Sequence, residues 1–152
     1  MLRKGIYVVI ILFVLIQVFR PVKNISAEVS TADIRNHSDD TVALKIISRA
    51  CFDCHSNHTL YPWYAEFQPT AWYLQNHVIN GKKRLNFSEF GTYTPKKAAD
   101  KLEEIVEEIK KGEMPLKSYR LIHSESRLTD KEQQIVVKWA ENMRSKYPES
   151  SK

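Results

Sequence analysis

Residues 51–55 read Cys-Phe-Asp-Cys-His, a C-x-x-C-H pentapeptide, and the rest of the chain is best read outward from it. Two thiols with two residues between them can add across the two vinyl groups of a haem and form thioethers. The imidazole that follows the second thiol can turn beneath the ring and bind the iron as its proximal ligand. Cys51 and Cys54 are the only two cysteines of the chain. They are too few for a disulfide scaffold and are the number that one c-type haem requires. The expected cofactor is therefore one covalent haem c per chain, with its iron. Two other uses of the motif fit less well. A zinc site needs four ligands in tetrahedral geometry, and a distant H-x-x-x-H pair is missing here. A thiol–disulfide oxidoreductase places C-x-x-C at the start of a helix after a strand. Here the motif follows a helix.

Upstream of the motif, Asp39 or Asp40 can cap a helix whose apolar positions Val42, Ala43, Ile46, Ile47 and Ala50 share one face. Downstream, residues 57–67 read as a loop rich in Tyr and Trp. Pro69 suits the first turn of a second helix over 70–80, with Gly81 as its stop. Lys82-Lys83-Arg84 reads as a solvated basic turn. A third helix over 98–111 carries an apolar stripe of Ala98, Leu102, Ile105, Val106 and Ile109, with four glutamates elsewhere around it. Gly112 ends it. Thr129 and Glu132 form a capping box for the last helix, which buries Ile135, Val136, Trp139, Ala140 and Met143. There is no strand pattern of useful length and no internal repeat. The expected fold class is all-α, with long loops around the cofactor.

The sixth iron position has several candidates. Met114 lies 59 residues after His55, in a loop that Pro115 stiffens, and a thioether on iron raises the reduction potential. Met143 falls on the apolar face of the last helix instead. His123 is the second candidate, and His77 and His58 are weaker ones. An iron left open on one side is the alternative, and it suits a peroxidase or a ligand sensor. Tyr61, Trp63, Tyr64, Phe67, Trp72 and Tyr73 fall within thirteen residues. Rings with polar tips make a dry wall for a haem, so Trp63, Tyr64 and Trp72 are expected to contact it. Arg84 or Lys82 would pair with a propionate.

The amino end is a different kind of segment. Ile6 to Ile16 is an unbroken apolar run, with Arg3 and Lys4 before it and Arg20-Pro21 after it. Fourteen helical residues from Ile6 to Phe19 span roughly 21 Å, less than the ~30 Å hydrocarbon core of a bilayer. The run reads as an anchor or as the h-region of a signal peptide. Ile25-Ser26-Ala27 is a poor cleavage site, which favours the anchor. Of 152 residues and a formal charge of +5, the first 27 residues carry four basic groups and no acid. The remainder is nearly neutral, which argues against a nucleic-acid partner.

Taken together, the anchor with Arg20-Pro21 and Asn24, then CFDCHSN from Cys51, YPWY from Tyr61, LNFS from Leu85, GEMP from Gly112, LTD from Leu128 and Trp139 resemble the bacterial single-domain haem-binding proteins with a cytochrome c-like fold. The resemblance runs from the anchor to about Met143. It implies thioether attachment at Cys51 and Cys54, proximal ligation by His55 and distal ligation by Met114. It implies a cytochrome c-like domain over 39–147, after an anchor or signal segment (1–22) and a linker (23–38), with a polar tail at 148–152. Attachment of haem c in bacteria takes place outside the cytoplasmic membrane. The domain is thus expected to face the periplasm from a single-pass inner-membrane anchor. The expected function is one-electron transfer, with other redox proteins or membrane respiratory complexes as partners. An electron carrier rather than a catalyst is expected, and no catalytic residue is assigned.

Overall fold

The computed structural model describes residues 2–26 and 28–147. Met1, Ala27 of the weak cleavage site and the polar tail at 148–152 lie outside the described residues. Among the described residues seven α-helices follow one another: α1 (Leu2–Ile16), α2 (Thr41–Ala50), α3 (Phe52–His55), α4 (Thr70–Arg84), α5 (Pro95–Lys111), α6 (Lys117–Ile122) and α7 (Asp130–Arg144). Short 3₁₀ turns lie between several of them. Among the described residues there is no strand, only one isolated bridge between Ile25 and His58. The all-α expectation holds.

Local chemistry sets the helix ends. The Asp40 side chain accepts from the Ala43 backbone N–H at 2.9 Å and starts α2. Thr94 caps α5 by accepting from Lys97, and Pro95 occupies the first turn, so this helix begins three residues before the apolar stripe. Gly112 closes it in a left-handed conformation, φ 69°, and donates to the carbonyls of Glu108 and Ile109. The capping box of Thr129 and Glu132 opens α7.

The core lies where α5 and α2 pack on α7. Leu102 and Ile109 of α5 are buried there with Val136, Trp139 and Met143 of α7. On α2 the buried set is Ala43, Leu44, Ile46, Ile47 and Ala50, and Val42 is exposed. The face is turned by one residue from the expected one, because α2 packs on α3 as well as α7. Phe52, Phe87 and Phe90 extend the core toward α3.

Two boundaries differ from the sequence reading. The second helix does not stop at Gly81 but runs to Arg84. Residues 23–38 are not a free linker. Ile34 is fully buried, and so is Asp33, whose carboxylate accepts two bonds from the Arg35 guanidinium at 2.8 and 2.9 Å. A single apolar plug has no periodicity, so its burial leaves no pattern to read.

All the side chains of α1 are solvent-exposed, apart from a half-buried Ile16. Its 15 residues span about 22 Å. Among the described residues no helix is long and apolar enough to cross a membrane.

Candidate functional site

A cavity of about 620 Å³ opens between α3, α4, α5, α6 and α7. This size falls in the ~300–1,000 Å³ range of cofactor and ligand sites. Cys51, Cys54, His55 and Met114 all line it. Its inner walls are aliphatic and aromatic, with Ile47, Leu85, Phe87, Ile105, Ile109 and Val136. Arg84, Lys101 and Glu104 lie at its polar part.

The local sequence explains how the motif is held. α2 ends at Ala50, and Cys51 caps both it and the one-turn helix α3. Helix α4 then crosses α3 closely enough that a Cβ on Gly81 would come within 2.5 Å of the Cys54 carbonyl oxygen. Gly81 is therefore an approach residue rather than a helix stop. Because α4 continues past it, Leu85 arrives beside the motif, and its carbonyl lies 3.0 Å from His55 Nδ1. A carbonyl only accepts, so Nδ1 carries the proton and Nε2 carries the lone pair. Burial holds the His55 ring below its ordinary pKa, with the Leu85 bond acting against this. A neutral imidazole with its proton fixed by a backbone acceptor is the form that ligates metal.

The cysteines are free thiols. Burial pushes Cys51 up to about 12 and Cys54 up to about 11, and the neighbouring Cys54 and Asp53 charges respectively add to this. A thiol–disulfide catalyst needs a thiolate and a depressed pKa. These thiols are the opposite, which weakens that reading of the motif. Among the described residues no three His, Cys, Asp or Glu side chains converge to hold a metal ion by themselves. A haem brings four ring nitrogens to its iron and asks the protein for one or two ligands only. The donor set of one histidine and one methionine in a mostly apolar cavity, with two thiols beside them, fits that group.

The other candidate ligands separate clearly. His77 lines the cavity, and its Nδ1 faces the Tyr73 carbonyl at 2.8 Å. His123 does not line it. Its Nε2 meets the Tyr64 hydroxyl at 2.6 Å and its Nδ1 meets Glu125 at 2.9 Å, so both nitrogens are engaged. His58 is turned to the Ser26 carbonyl, and Met143 is buried in the core. Arg84 reaches the cavity, whereas Lys82 bonds Asn24 at 2.7 Å instead.

The expected aromatic wall is not where the sequence reading placed it. Trp63, Tyr64 and Trp72 do not line the cavity. Trp63 is 77% exposed, Tyr64 binds His123, and the Trp72 indole donates to the Phe19 carbonyl at 2.7 Å. The reason is chemical. The Tyr64 hydroxyl and the Trp72 indole find partners away from the cavity, at His123 and Phe19, and its apolar wall is made by Ile47, Leu85, Phe87, Ile105, Ile109 and Val136 instead. Behind the motif, Phe52 and Phe87 stack with centroids 5.2 Å apart, and Phe87 meets the His55 ring edge-on at 6.4 Å.

Two site residues went unnoticed in the sequence. The Tyr119 hydroxyl donates to Asp53 Oδ2 at 2.5 Å, and Asp53 Oδ1 accepts from the Leu60 backbone at 3.0 Å. Tyr119 thus ties α6 to the second spacer residue of the motif, and both line the cavity. Burial and the Asp53 bond push the Tyr119 phenol far up, so it stays a donor. A polar spacer inside C-x-x-C was the only available signal.

Comparison with known proteins gives one result that matches this geometry. No curated protein and no solved structure matches the chain. Residues 11–142 match the haem-binding domain family, a span that takes in α2 to α6, the motif and nearly all of α7. The cavity and its donors lie within that span, and the chain belongs to the haem-binding domain family.

Proposed function

We propose that this protein is a membrane-anchored, mono-haem c-type electron-transfer protein whose haem domain faces the periplasm. The observation that carries the reading is that Cys51, Cys54, His55 and Met114 line one mostly apolar cavity. In it, Cys51 and Cys54 would supply the thioethers, and His55 and Met114 would be the iron's protein ligands. The bound haem supplies a one-electron ferric–ferrous couple. The chain's own part is to hold its two ligands still in both states. His55 is held by the Leu85 carbonyl, and the Met114 backbone N–H donates to Glu108 at 3.3 Å. The walls are mostly apolar, and a thioether ligand in such a setting favours the reduced state. Arg84 offers a cation to a propionate. The partners are other redox proteins or membrane respiratory complexes, and the exposed apolar rod of α1 with its basic flanks supports the anchor.

Absorption spectra test the reading. After expression with a haem-attachment system, the pyridine haemochrome should be of c type, and Cys51→Ser should change it. The ferric protein should show a methionine-to-iron band that disappears in Met114→Ala. A wild-type protein that binds carbon monoxide readily as isolated would replace Met114 ligation with an open iron. That result would favour a peroxidase or sensor.

A further inference from the structure

Helix α1 is not joined to the domain by a loose tether. The Gln17 side chain accepts from the Gln68 backbone N–H at 2.9 Å and donates to the Gln68 carbonyl at 3.3 Å. The Phe19 carbonyl accepts from the Gln68 side chain at 3.0 Å and from the Trp72 indole at 2.7 Å. Gln68 is itself buried. Glu66 then pairs with both Arg20 and Lys23. The chain leaving α1 is therefore fastened to residues 66–72, and the direction of the helix fixes the direction of this face.

What this face presents is unusual for a water-soluble surface. Trp63 is 77% exposed and Phe67 49% exposed, with their rings edge-to-face at 6.3 Å. Trp72, beside them in sequence, keeps 39% of its surface exposed while its indole nitrogen holds the α1 junction. Tryptophan rings collect at the headgroup level of a bilayer, where one end meets hydrocarbon and the other meets water. Arg20 and Lys23 lie just past the apolar helix, at the level where lipid phosphates would stand.

We infer that the Trp63–Phe67 face is a seat on the lipid surface, which holds the haem domain at a fixed angle to the membrane that α1 enters. This rests on the anchor reading above. It adds that the domain is oriented and not merely tethered. It also gives the surface aromatics, which the cavity does not use, a partner of defined chemistry.

The full-length haem protein in phosphatidylcholine bilayers tests the seat. Vesicle flotation reports the anchor. The angular dependence of the ferric haem electron-resonance signal, on stacked oriented bilayers, reports the seat. The wild type should float and show a signal that changes with sample angle. Trp63→Ser/Phe67→Ser should still float, keep its haem spectrum and lose the angular dependence. Trp63→Tyr/Phe67→Tyr, which restores interfacial rings, should recover it. A wild type that floats without angular dependence overturns the seat and leaves the anchor standing; a protein partner would then be the occupant of this face. A serine variant that keeps its order also overturns the seat. A wild type that fails to float overturns the anchor reading, and the seat with it.

Discussion

Two groups of aromatic residues lie in or after the C-x-x-C-H segment in sequence, and they end in opposite environments. Phe87 and Phe90, at 2% and 1% exposure, pack with Phe52 behind the motif. Trp63, Phe67 and Trp72 lie on the outer face where α1 joins the domain. The difference lies in the polar tips and in what each segment is fastened to. Phenylalanine has no polar group to satisfy, and Phe87 fills part of the cavity wall. A tryptophan needs a partner for its indole nitrogen, and Trp72 finds the Phe19 carbonyl. Phe67 goes outward despite its plain ring, because Gln68 beside it is tied to Gln17.

Substitutions should separate the inner group from the outer one by magnitude. Phe87→Ala should have the largest effect, a loss of about 3–5 kcal/mol of stability, read by denaturant unfolding. It should also loosen the His55 ring and weaken haem retention. If Phe87→Ala costs no more than a surface change, the inner group is not the wall described above.

Gly81→Ala comes next. The added methyl meets backbone atoms of Cys54, which cannot swing aside. A cost of about 1–3 kcal/mol is expected for overpacking. The haem spectrum should change too, because α4 and the motif must part, taking Leu85 from His55.

Asp33 sharpens the inner side of the comparison through pH. It sits in the turn that packs against the turn carrying Phe87 and Phe90, where the Gly91 backbone N–H donates to the Ala32 carbonyl at 2.7 Å. Burial alone would raise its pKa, but the Arg35 hydrogen bonds and charge outweigh this and hold it below the usual aspartate value of 3.8. The unfolded chain therefore takes up this proton first. The stabilisation is present above pH 3.8 and is lost as pH falls through the depressed native value. Melting curves of wild type and Asp33→Asn should differ at neutral pH and approach each other as pH falls from 3.8 through the depressed native value. Parallel curves over the whole range would show that the pair adds no pH-dependent stability.

Trp63→Ala should have the smallest effect on folding, within about 0.5 kcal/mol in solution. A thermal melt without lipid checks it. A loss as large as that of Phe87→Ala would make the two aromatic groups equivalent and remove the contrast.

Much of the site was legible before any coordinates. Cys51, Cys54 and His55 are adjacent in sequence, so their meeting needs only one turn of helix. Met114 stood out because a Met-Pro pair follows a glycine stop. The helix caps at Asp40, Gly112 and Thr129 are local chemistry and appear where expected. The aromatic wall, the end of α4 and the linker were misread because each depends on distant partners. Gly81 looks like a stop until Cys54 is seen across from it. Ile34 and Asp33 look like linker until the Phe87 turn closes over them. Tyr119 is invisible until α6 folds back onto Asp53.

The amino-acid sequence by itself pointed to a haem, to the all-α class and to the apolar rod at the amino end. These follow from spacing and periodicity within one or two helical turns. Tertiary structure alone decided which rings wall the cavity, which histidines reach it, and how α1 is fastened to the domain. These are contacts between residues thirty to seventy positions apart, and their outcome depends on which polar group finds a partner first. Phe87 is buried and Trp63 exposed, and no pattern along the chain records it.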